Sequence, residues 1–267
     1  MEQMQRLLAV MAALRDPERG CPWDKQQTFA TILPYTIEEV YEVADAIDHG
    51  DMLALREELG DLLFQIVFYA QMAKEAGEFE FADIAAAISD KLEQRHPHVF
   101  GDAEIATAEA QTQAWEKHKE RERHAKAADQ QRAASVLDNV PVALPGLMRA
   151  MKLQRRAARQ GFDWPDVAPV LDKIEEEFAE VREVLAEGAD SEKLMHEVGD
   201  LLFACVNLAR HTEIDPEIAM RGVNGRFESR FRRVEELARQ QNQSLAQMSL
   251  EEMDKLWDQA KAEEKAK

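Results

Sequence analysis

Residues 58–64 read Glu-Leu-Gly-Asp-Leu-Leu-Phe, and residues 197–203 read Glu-Val-Gly-Asp-Leu-Leu-Phe, 139 positions further along the chain. Residues 38–42, Glu-Glu-Val-Tyr-Glu, recur 138 positions later as Glu-Glu-Phe-Ala-Glu. A third match, in the same order and at a similar spacing, joins the segments that begin at Trp115 and Trp257. Three ordered matches at nearly one offset indicate a tandem duplication, whose unit is about half of the chain.

The composition favours helices. The 267 residues include only eleven Gly and nine Pro, and good helix formers such as Ala, Leu and Glu dominate. These proportions exclude an all-β protein and a long disordered chain. We therefore predict an all-α protein of two tandem helical-bundle repeats. The predicted boundaries are 1–125 for the first repeat, 126–137 for a charged linker and 138–267 for the second repeat.

Each repeat is predicted to contain an acidic helix, an apolar helix and a further helix. Possible capping boxes at Thr36 and Ser249, and Asp215 ahead of Pro216, mark three of the helix starts. The predicted helices are 36–48, 52–76 and 81–95 in the first repeat, and 169–187, 191–212 and 216–240 in the second.

The charge and the apolar pattern limit the possible partners and location. The chain has 52 Asp and Glu against 33 Lys and Arg, a net charge of -19, which repels nucleic acids and anionic membranes. No stretch approaches the roughly 18 apolar residues of a membrane span, and the run Leu7 to Leu14 has helical spacing. Because Cys21 and Cys205 lie far apart in the sequence, we expect no disulfide framework. Cysteines that stay reduced indicate a reducing compartment, so we expect a cytoplasmic location.

Four acidic residues of each repeat are predicted to meet in one pocket. Helix positions three apart share a face, with Cβ atoms about 5–6 Å apart. If the two helices pack antiparallel, the carboxylates converge and raise one another's pKa, and a divalent cation would relieve this conflict. Ligation by carboxylates alone favours Mg²⁺, or Mn²⁺, over zinc or copper. The predicted ligands are Glu177, Glu180, Glu197 and Asp200 in the second repeat and Glu39, Glu42, Glu58 and Asp61 in the first.

Two features favour this pocket over ordinary solvent-facing acids. Residues 201–206 are apolar on every helix face, so the helix that carries Glu197 and Asp200 is predicted to be buried there. Gly60 and Gly199 stand between the paired acids, and a mid-helix glycine costs about 1 kcal/mol relative to Ala unless a close approach of backbone or ligand requires it. Di-iron bundles need two Glu-x-x-His elements, and the sequence offers one, so iron is discounted.

Mg²⁺ held by carboxylates keeps coordination sites for water and substrate phosphates. Cations near the acidic pairs are candidates to bind those phosphates. Trp257 could stack on a base or a sugar, or it could pack in the core. The candidate nucleotide-binding residues are Lys173, Lys193, Arg226, Arg230, Trp257 and Lys261.

The acidic motif Glu-Glu-x-x-Glu followed by Glu-x-x-Asp, carried twice, resembles that of the MazG-type nucleoside triphosphate pyrophosphohydrolases, of the all-α NTP pyrophosphatase superfamily. The resemblance covers essentially the whole chain and includes Cys-Pro-Trp-Asp at 21–24, residues 95–100 and Gly-Phe-Asp-Trp at 161–164. It implies Mg²⁺-dependent hydrolysis of NTPs and dNTPs to a monophosphate and pyrophosphate, for nucleotide-pool clearing or regulation. It also implies a homodimer.

The resemblance implies roles for particular residues of the second repeat. Lys193 and the basic and aromatic candidates after it match the family's nucleotide contacts, and the four predicted ligands match its metal-binding positions. Glu176 or a metal-bound carboxylate would accept the proton of the attacking water. The first repeat keeps its acids but has Ala54 where the second has Lys193, so we predict that the second repeat is the principal catalytic unit.

Two alternatives stay open at this point. One is a helical interaction module whose acidic faces bind a basic partner, with a structural metal. The other is a pyrophosphatase of the same superfamily with a narrower substrate, such as dUTP. No residue pattern selects a base, so broad use of NTPs and dNTPs is the default expectation.

Overall fold

The computed structural model describes residues 2–102, 107–188 and 191–265. Within these ranges the chain forms α-helices and one 3-10 turn, with no strand, which confirms the predicted all-α class. The helices are α1 (Glu2–Leu14), α2 (Pro22–Gln26), α3 (Phe29–His49), α4 (Met52–Glu75), α5 (Phe81–Arg95), α6 (Pro97–Phe100), α7 (Ala108–Asp129), α8 (Gly146–Ala158), α9 (Ala168–Ala186), α10 (Ser191–His211), α11 (Pro216–Gln240) and α12 (Leu250–Lys265).

The chain divides into two compact units between His118 and Lys119, within α7. In the first unit, α3 and α4 pack against each other as a hairpin, and α1 packs on α4. Gly50 ends α3 with a φ of 67°, and the side chain of Asp51 accepts hydrogen bonds from the first amides of α4. The short turn makes the two helices antiparallel, which is the condition under which the sequence predicted that the carboxylates converge. Their core is formed by Met11, Ile32, Val67, Phe68 and Met72.

The second unit repeats this hairpin with α9 and α10, on which α8 packs in the place that α1 takes on α4. Helices α11 and α12 pack together through a separate apolar cluster. The buried members of that cluster are Val234, Leu237, Ala238, Leu256 and Ala260. None of the described helices is long and apolar enough to cross a membrane.

Two of the three predicted helix starts are confirmed. Asp215 Oδ1 accepts hydrogen bonds from the backbone N–H groups of Glu217 and Ile218 at 3.0 and 3.1 Å. The backbone N–H of Ser249 donates to Glu252 Oε2 at 2.8 Å, and the Glu252 amide donates to Ser249 Oγ at 3.3 Å. Both helices therefore begin where their caps satisfy first-turn amides that have no partner within the helix.

The predicted start at Thr36 is wrong. Helix α3 begins at Phe29, because Thr28 and Thr31 form the capping box instead. The Thr36 hydroxyl lies inside the helix, donates to the Ile32 carbonyl at 3.3 Å and pairs with the Tyr69 hydroxyl at 2.9 Å. A threonine in a helix interior can return its hydrogen bond to the carbonyl four residues earlier, so its presence alone does not mark a start.

Candidate metal and nucleotide site

Three carboxylates of the second unit converge between α9 and α10. Glu177 on α9 and Glu197 and Asp200 on α10 each place one carboxylate oxygen within 4.8 Å of the others. Glu180, one turn beyond Glu177, lies beside this group. Burial raises its pKa, and the negative charges of Glu177 and Glu197 raise it further. The structure therefore brings the four predicted ligands of the second repeat to one place.

Glu177 carries the strongest sign that the group accepts a cation. The residue is only 6% exposed, and its Oε2 atom is buried without a hydrogen-bond partner. Its other oxygen lies 2.8 Å from Lys173 Nζ. A buried carboxylate oxygen without a donor is costly, and a hard divalent cation would satisfy it. The all-oxygen donor set fits Mg²⁺ or Mn²⁺.

The first unit has a matching acidic group. Glu39, Glu42 and Glu58 place carboxylate oxygens within 4.8 Å of one another. Burial raises the pKa of Glu39, with further increases from Asp61 and Glu42, so Asp61 also lies close to the group. One oxygen of Glu39 accepts a hydrogen bond from Gln65 Nε2 at 3.3 Å. The duplication in the sequence is thus a duplication of acidic clusters.

The predicted cations on α9 and α10 lie near the second cluster. Lys173 Nζ is 2.8 Å from both Glu176 Oε1 and Glu177 Oε1, and these hydrogen bonds raise its pKa. Lys193 pairs with Glu187 at 3.2 Å, which raises the Lys193 pKa, with a smaller contribution from Glu197. Both ammonium groups therefore stay charged next to the acids.

Of the predicted residues on α11 and α12, Arg230 and Trp257 lie together. Arg230 Nε donates to Glu264 Oε2 at 2.6 Å, and its guanidinium lies 5.9 Å from the Trp257 ring centroid. Trp257 also contacts Phe227, with ring centroids 5.3 Å apart, so in this chain it packs against its neighbours. Arg226 and Lys261 are exposed. No described side chain of α11 or α12 lines the cavity that adjoins the acidic cluster.

That cavity was not found from the sequence. It has a volume of about 700 Å³ and is lined at one end by Lys173, Glu177 and Asp200. Its other walls come from α8, α10 and the segment 161–164, and include Gln154, Phe162, Trp164, Phe203 and Asn207. Segment 161–164 was part of the family resemblance, so it gave a signal, but no spacing rule linked it to the acids.

A partly buried ion pair holds that segment in place. Asp163 accepts from Arg210 Nη1 at 2.8 Å and lies 3.0 Å from His211 Nε2. The hydrogen bond from Arg210 lowers the pKa of Asp163, with a smaller effect from His211. Gly161, with a φ of 84°, ends the turn that follows α8 and leads into the segment. Because Arg210 and His211 end α10, the loop is tied to the same helix that carries two of the acids.

The two units differ around otherwise similar acids. At the 138- and 139-residue offsets, Lys173 and Lys193 of the second unit correspond to Tyr35 and Ala54 of the first. A cation at either position could help to bind a triphosphate, whereas the first unit offers a phenol and a methyl group there. The second unit therefore has the fuller set of groups for a phosphorylated substrate.

The expected close approach at the two mid-helix glycines is absent from the chain's own packing. A Cβ atom added at Gly60 or Gly199 would meet no heavy atom within 4 Å among its described neighbours. The sequence argument treated these glycines as marks of a close approach of backbone or ligand. Among the described residues no backbone makes that approach, because the helix faces at these positions are open, and the approach of a ligand stays a prediction.

Comparison with known proteins identifies the family of the chain. Residues 27–100 match the family model of the MazG nucleotide pyrophosphohydrolase domain, and residues 144–227 match that of phosphoribosyl-ATP pyrophosphohydrolase. The chain is 53% identical over 265 residues to the nucleoside triphosphate pyrophosphohydrolase of Escherichia coli K12, covering 99% of both chains. It is 39% identical over 257 residues to the nucleoside triphosphate pyrophosphohydrolase/pyrophosphatase MazG of Thermotoga maritima, covering 96% of this chain and 95% of that protein. A duplicated acidic hairpin and full-length similarity to these enzymes thus make the chain a member of the MazG family of nucleoside triphosphate pyrophosphohydrolases.

Proposed function

We propose that the protein hydrolyses NTPs and dNTPs between the α and β phosphates, releasing a monophosphate and pyrophosphate, at the acidic cluster of the second unit. The observation that carries the proposal is the meeting of Glu177, Glu197 and Asp200 within 4.8 Å, beside the charged Lys173. The names of the full-length relatives supply the substrate class. Family membership favours this enzyme over an interaction module.

The proposed role of each residue follows from its position. Glu177, Glu180, Glu197 and Asp200 would hold Mg²⁺, which when bound polarises the attacked phosphate and neutralises the leaving pyrophosphate. Lys173 keeps Glu176 and Glu177 oriented through its two 2.8 Å contacts. Glu176, or one of the ligand carboxylates, accepts the proton of the attacking water.

On α10 and the α11–α12 pair, further groups offset the negative charge of the triphosphate, which this acidic chain otherwise repels. These groups are Lys193, Arg226, Arg230, Trp257 and Lys261, of which Trp257 would contribute stacking. A cytoplasmic location, where Cys21 and Cys205 stay reduced, belongs to the same proposal. The resulting role is nucleotide-pool clearing or regulation.

The proposal is tested by product analysis of ATP and dNTP hydrolysis with Mg²⁺. Wild type should release monophosphate and pyrophosphate, and chelation of the metal should stop the reaction reversibly. Glu180→Gln should lower turnover by roughly 100-fold, since even partners of metal ligands commonly cost 10–100-fold. The matched change in the first unit, Glu42→Gln, should leave turnover near the wild-type value.

Three other results would count against the proposal. Inorganic phosphate in place of pyrophosphate would mean that a different bond is cleaved. Equal losses in Glu180→Gln and Glu42→Gln would contradict the assignment to the second unit. Cleavage of dUTP alone would replace broad substrate use with the narrower alternative.

We also infer that the protein is a homodimer. Large apolar side chains of the second unit are exposed on neighbouring helices, among them Phe178 on α9, Leu202 on α10 and Phe227 on α11. Exposed apolar surface of this kind is typical of protein interfaces. Light scattering should give twice the chain mass of 30.4 kDa, and Phe178→Asp should shift it towards that of one chain. A wild-type monomer at micromolar concentration would contradict the inference.

A further inference from the structure

Two successive acids near the end of α12 bind two arginines of α11. Glu264 Oε2 accepts a hydrogen bond from Arg230 Nε at 2.6 Å. Glu263 accepts two hydrogen bonds from Arg233, at 2.7 Å from Nε and at 3.3 Å from Nη2. Both pairs line one cavity of about 620 Å³, whose walls come from α11 and α12. The two arginines therefore have the same kind of partner in the same place.

The two guanidinium groups differ in the donors that remain. All three nitrogens of Arg233 are engaged, because Nη1 also donates to Glu236 Oε2 at 2.9 Å. Among the described residues, Arg230 donates through Nε alone, and its Nη1 and Nη2 atoms make no hydrogen bond. The two Nη atoms form an edge with parallel N–H groups, which matches the oxygens of a phosphate. Arg233 is thus used up by structural contacts, whereas Arg230 keeps an edge for a ligand.

Arg230 is also held on its flat face. Its guanidinium carbon lies 5.9 Å from the centre of the Trp257 ring, and its side chain is 24% exposed. Trp257, Lys261 and Glu264 occupy positions i, i+4 and i+7 of α12, so they lie along one face of that helix. Glu264 thus fixes Arg230 over the helix face that carries both proposed nucleotide-binding residues of α12.

The contact with Glu264 orders the arginine without occupying its phosphate-binding edge. A long side chain that is mobile must be immobilised when a ligand binds, and this weakens binding; a side chain that is already ordered avoids the loss. A carboxylate that competed with phosphates would pair with the Nη edge. Glu264 pairs with Nε, on the other side of the group, so its geometry favours ordering over competition.

We propose that Glu264 is a positioning residue for nucleotide binding: it orders the Arg230 guanidinium in the free enzyme, so that Nη1 and Nη2 can donate to a phosphate. The assignment rests on the proposed function, since it takes Arg230 as a nucleotide-binding residue. Glu264 itself does not touch the substrate. Its effect passes entirely through Arg230, which distinguishes it from an acid that only stabilises the helix pair.

The test is a double-mutant cycle on ATP hydrolysis, followed by release of pyrophosphate. Glu264→Ala should lower kcat/KM about fivefold, the affinity lost when one long side chain must be ordered on binding. The loss should lie in KM, with kcat within about twofold of wild type, because the ordering takes place as the substrate binds. In an Arg230→Ala protein, adding Glu264→Ala should change kcat/KM by less than about twofold, because the side chain that Glu264 orders is gone.

Two further variants separate positioning from stability. Glu264→Gln keeps an oxygen that can accept from Arg230 Nε, so it should restore most of the affinity that Glu264→Ala loses. Glu263→Ala is the matched control, because it removes the neighbouring acid from Arg233. Any loss of stability in this control should leave KM for ATP unchanged. If Glu264→Ala fails to fold, Glu264→Leu replaces it in the cycle.

An unchanged KM in Glu264→Ala or in Arg230→Ala would overturn the proposal. A lower KM in Glu264→Ala would also overturn it, by showing that the carboxylate competes with phosphate. A further fivefold loss in the Arg230→Ala background would show that Glu264 acts by another route, with the same consequence. In all these cases, release of pyrophosphate by wild type would leave the proposed function standing. A wild-type protein that releases no pyrophosphate from any NTP would reject the proposed function, and the positioning role with it.

Discussion

At the scale of single residues, Asp163 shows how one carboxylate can hold a segment that lines a cavity. It joins segment 161–164 to the end of α10 through Arg210 and His211. The hydrogen bond from Arg210 lowers its pKa below the ordinary value of about 3.9. A group whose pKa is lowered by folding stabilises the protein above its unfolded pKa, and this stability is lost as the pH falls through the folded pKa.

We expect Asp163→Asn to lower the free energy of unfolding by about 1–3 kcal/mol at pH 7, because a partly buried charged hydrogen bond is lost. The gap between variant and wild type should narrow below about pH 4, where the aspartate itself becomes protonated. Urea unfolding of both proteins at pH 7 and below about pH 4 would measure the difference in the free energy of unfolding. Asp258→Asn, at an exposed position on α12, should change stability by less than about 0.5 kcal/mol. Equal stability of Asp163→Asn and wild type at pH 7 would contradict the argument.

At the scale of helices, the ends depend on short-range hydrogen bonds. Ser249 and Glu252 satisfy each other's backbone amides at the start of α12. Helix α12 in turn buries Leu256 and Ala260 against α11. The cap therefore supports the packing of α12 on α11. Loss of the cap should lower the stability of the second unit.

Ser249→Ala should lower stability by about 1 kcal/mol, the usual cost of removing an N-cap side chain. Ser249→Asp keeps an acceptor at the cap and should retain most of the wild-type stability. Thermal unfolding of the three proteins compares them directly. A Ser249→Ala protein as stable as wild type would show that the cap is not needed.

Two glycines of the first-unit hairpin should respond in opposite directions to the same substitution. Gly50 has a left-handed φ of 67°, which costs an L-residue about 1–2 kcal/mol, so Gly50→Ala should destabilise. Gly60 lies in the interior of α4 with open space around it, so Gly60→Ala should stabilise by up to about 1 kcal/mol. The denaturant midpoints of the two variants, compared with wild type, would give the sign of each change in stability. A loss of stability in Gly60→Ala would point to a contact outside the single chain.

At the scale of the whole molecule, duplication has produced two units with similar acids and different surroundings. The second unit has Lys173 beside its acids and Asn207 in the wall of an open cavity. At the positions that correspond to these two residues, the first unit has Tyr35 and the buried Phe68. Space for a ligand lowers the packing that a unit can use for its own stability. This difference suits a division in which one unit binds substrate and the other contributes a better-filled core.

Mg²⁺ with a non-hydrolysable ATP analogue should therefore raise the melting temperature through the second unit. A ligand at about 100 times its Kd adds about 2.7 kcal/mol to the state that binds it. The increase should persist in Glu42→Gln and be largely lost in Glu180→Gln. Calorimetry with and without the ligand would show this, and equal increases in both variants would place binding elsewhere.

The sequence by itself determined the helical class, most helix bounds and the acidic pairs, because all of these depend on spacings of a few residues within one helix. It misjudged the start of α3, where two threonine patterns competed as caps. Only the tertiary structure decided that Gln154, Phe162 and Asn207 share a cavity with Glu177. Those residues lie on α8, a loop, α10 and α9, and their proximity depends on how distant segments pack, which no local periodicity records.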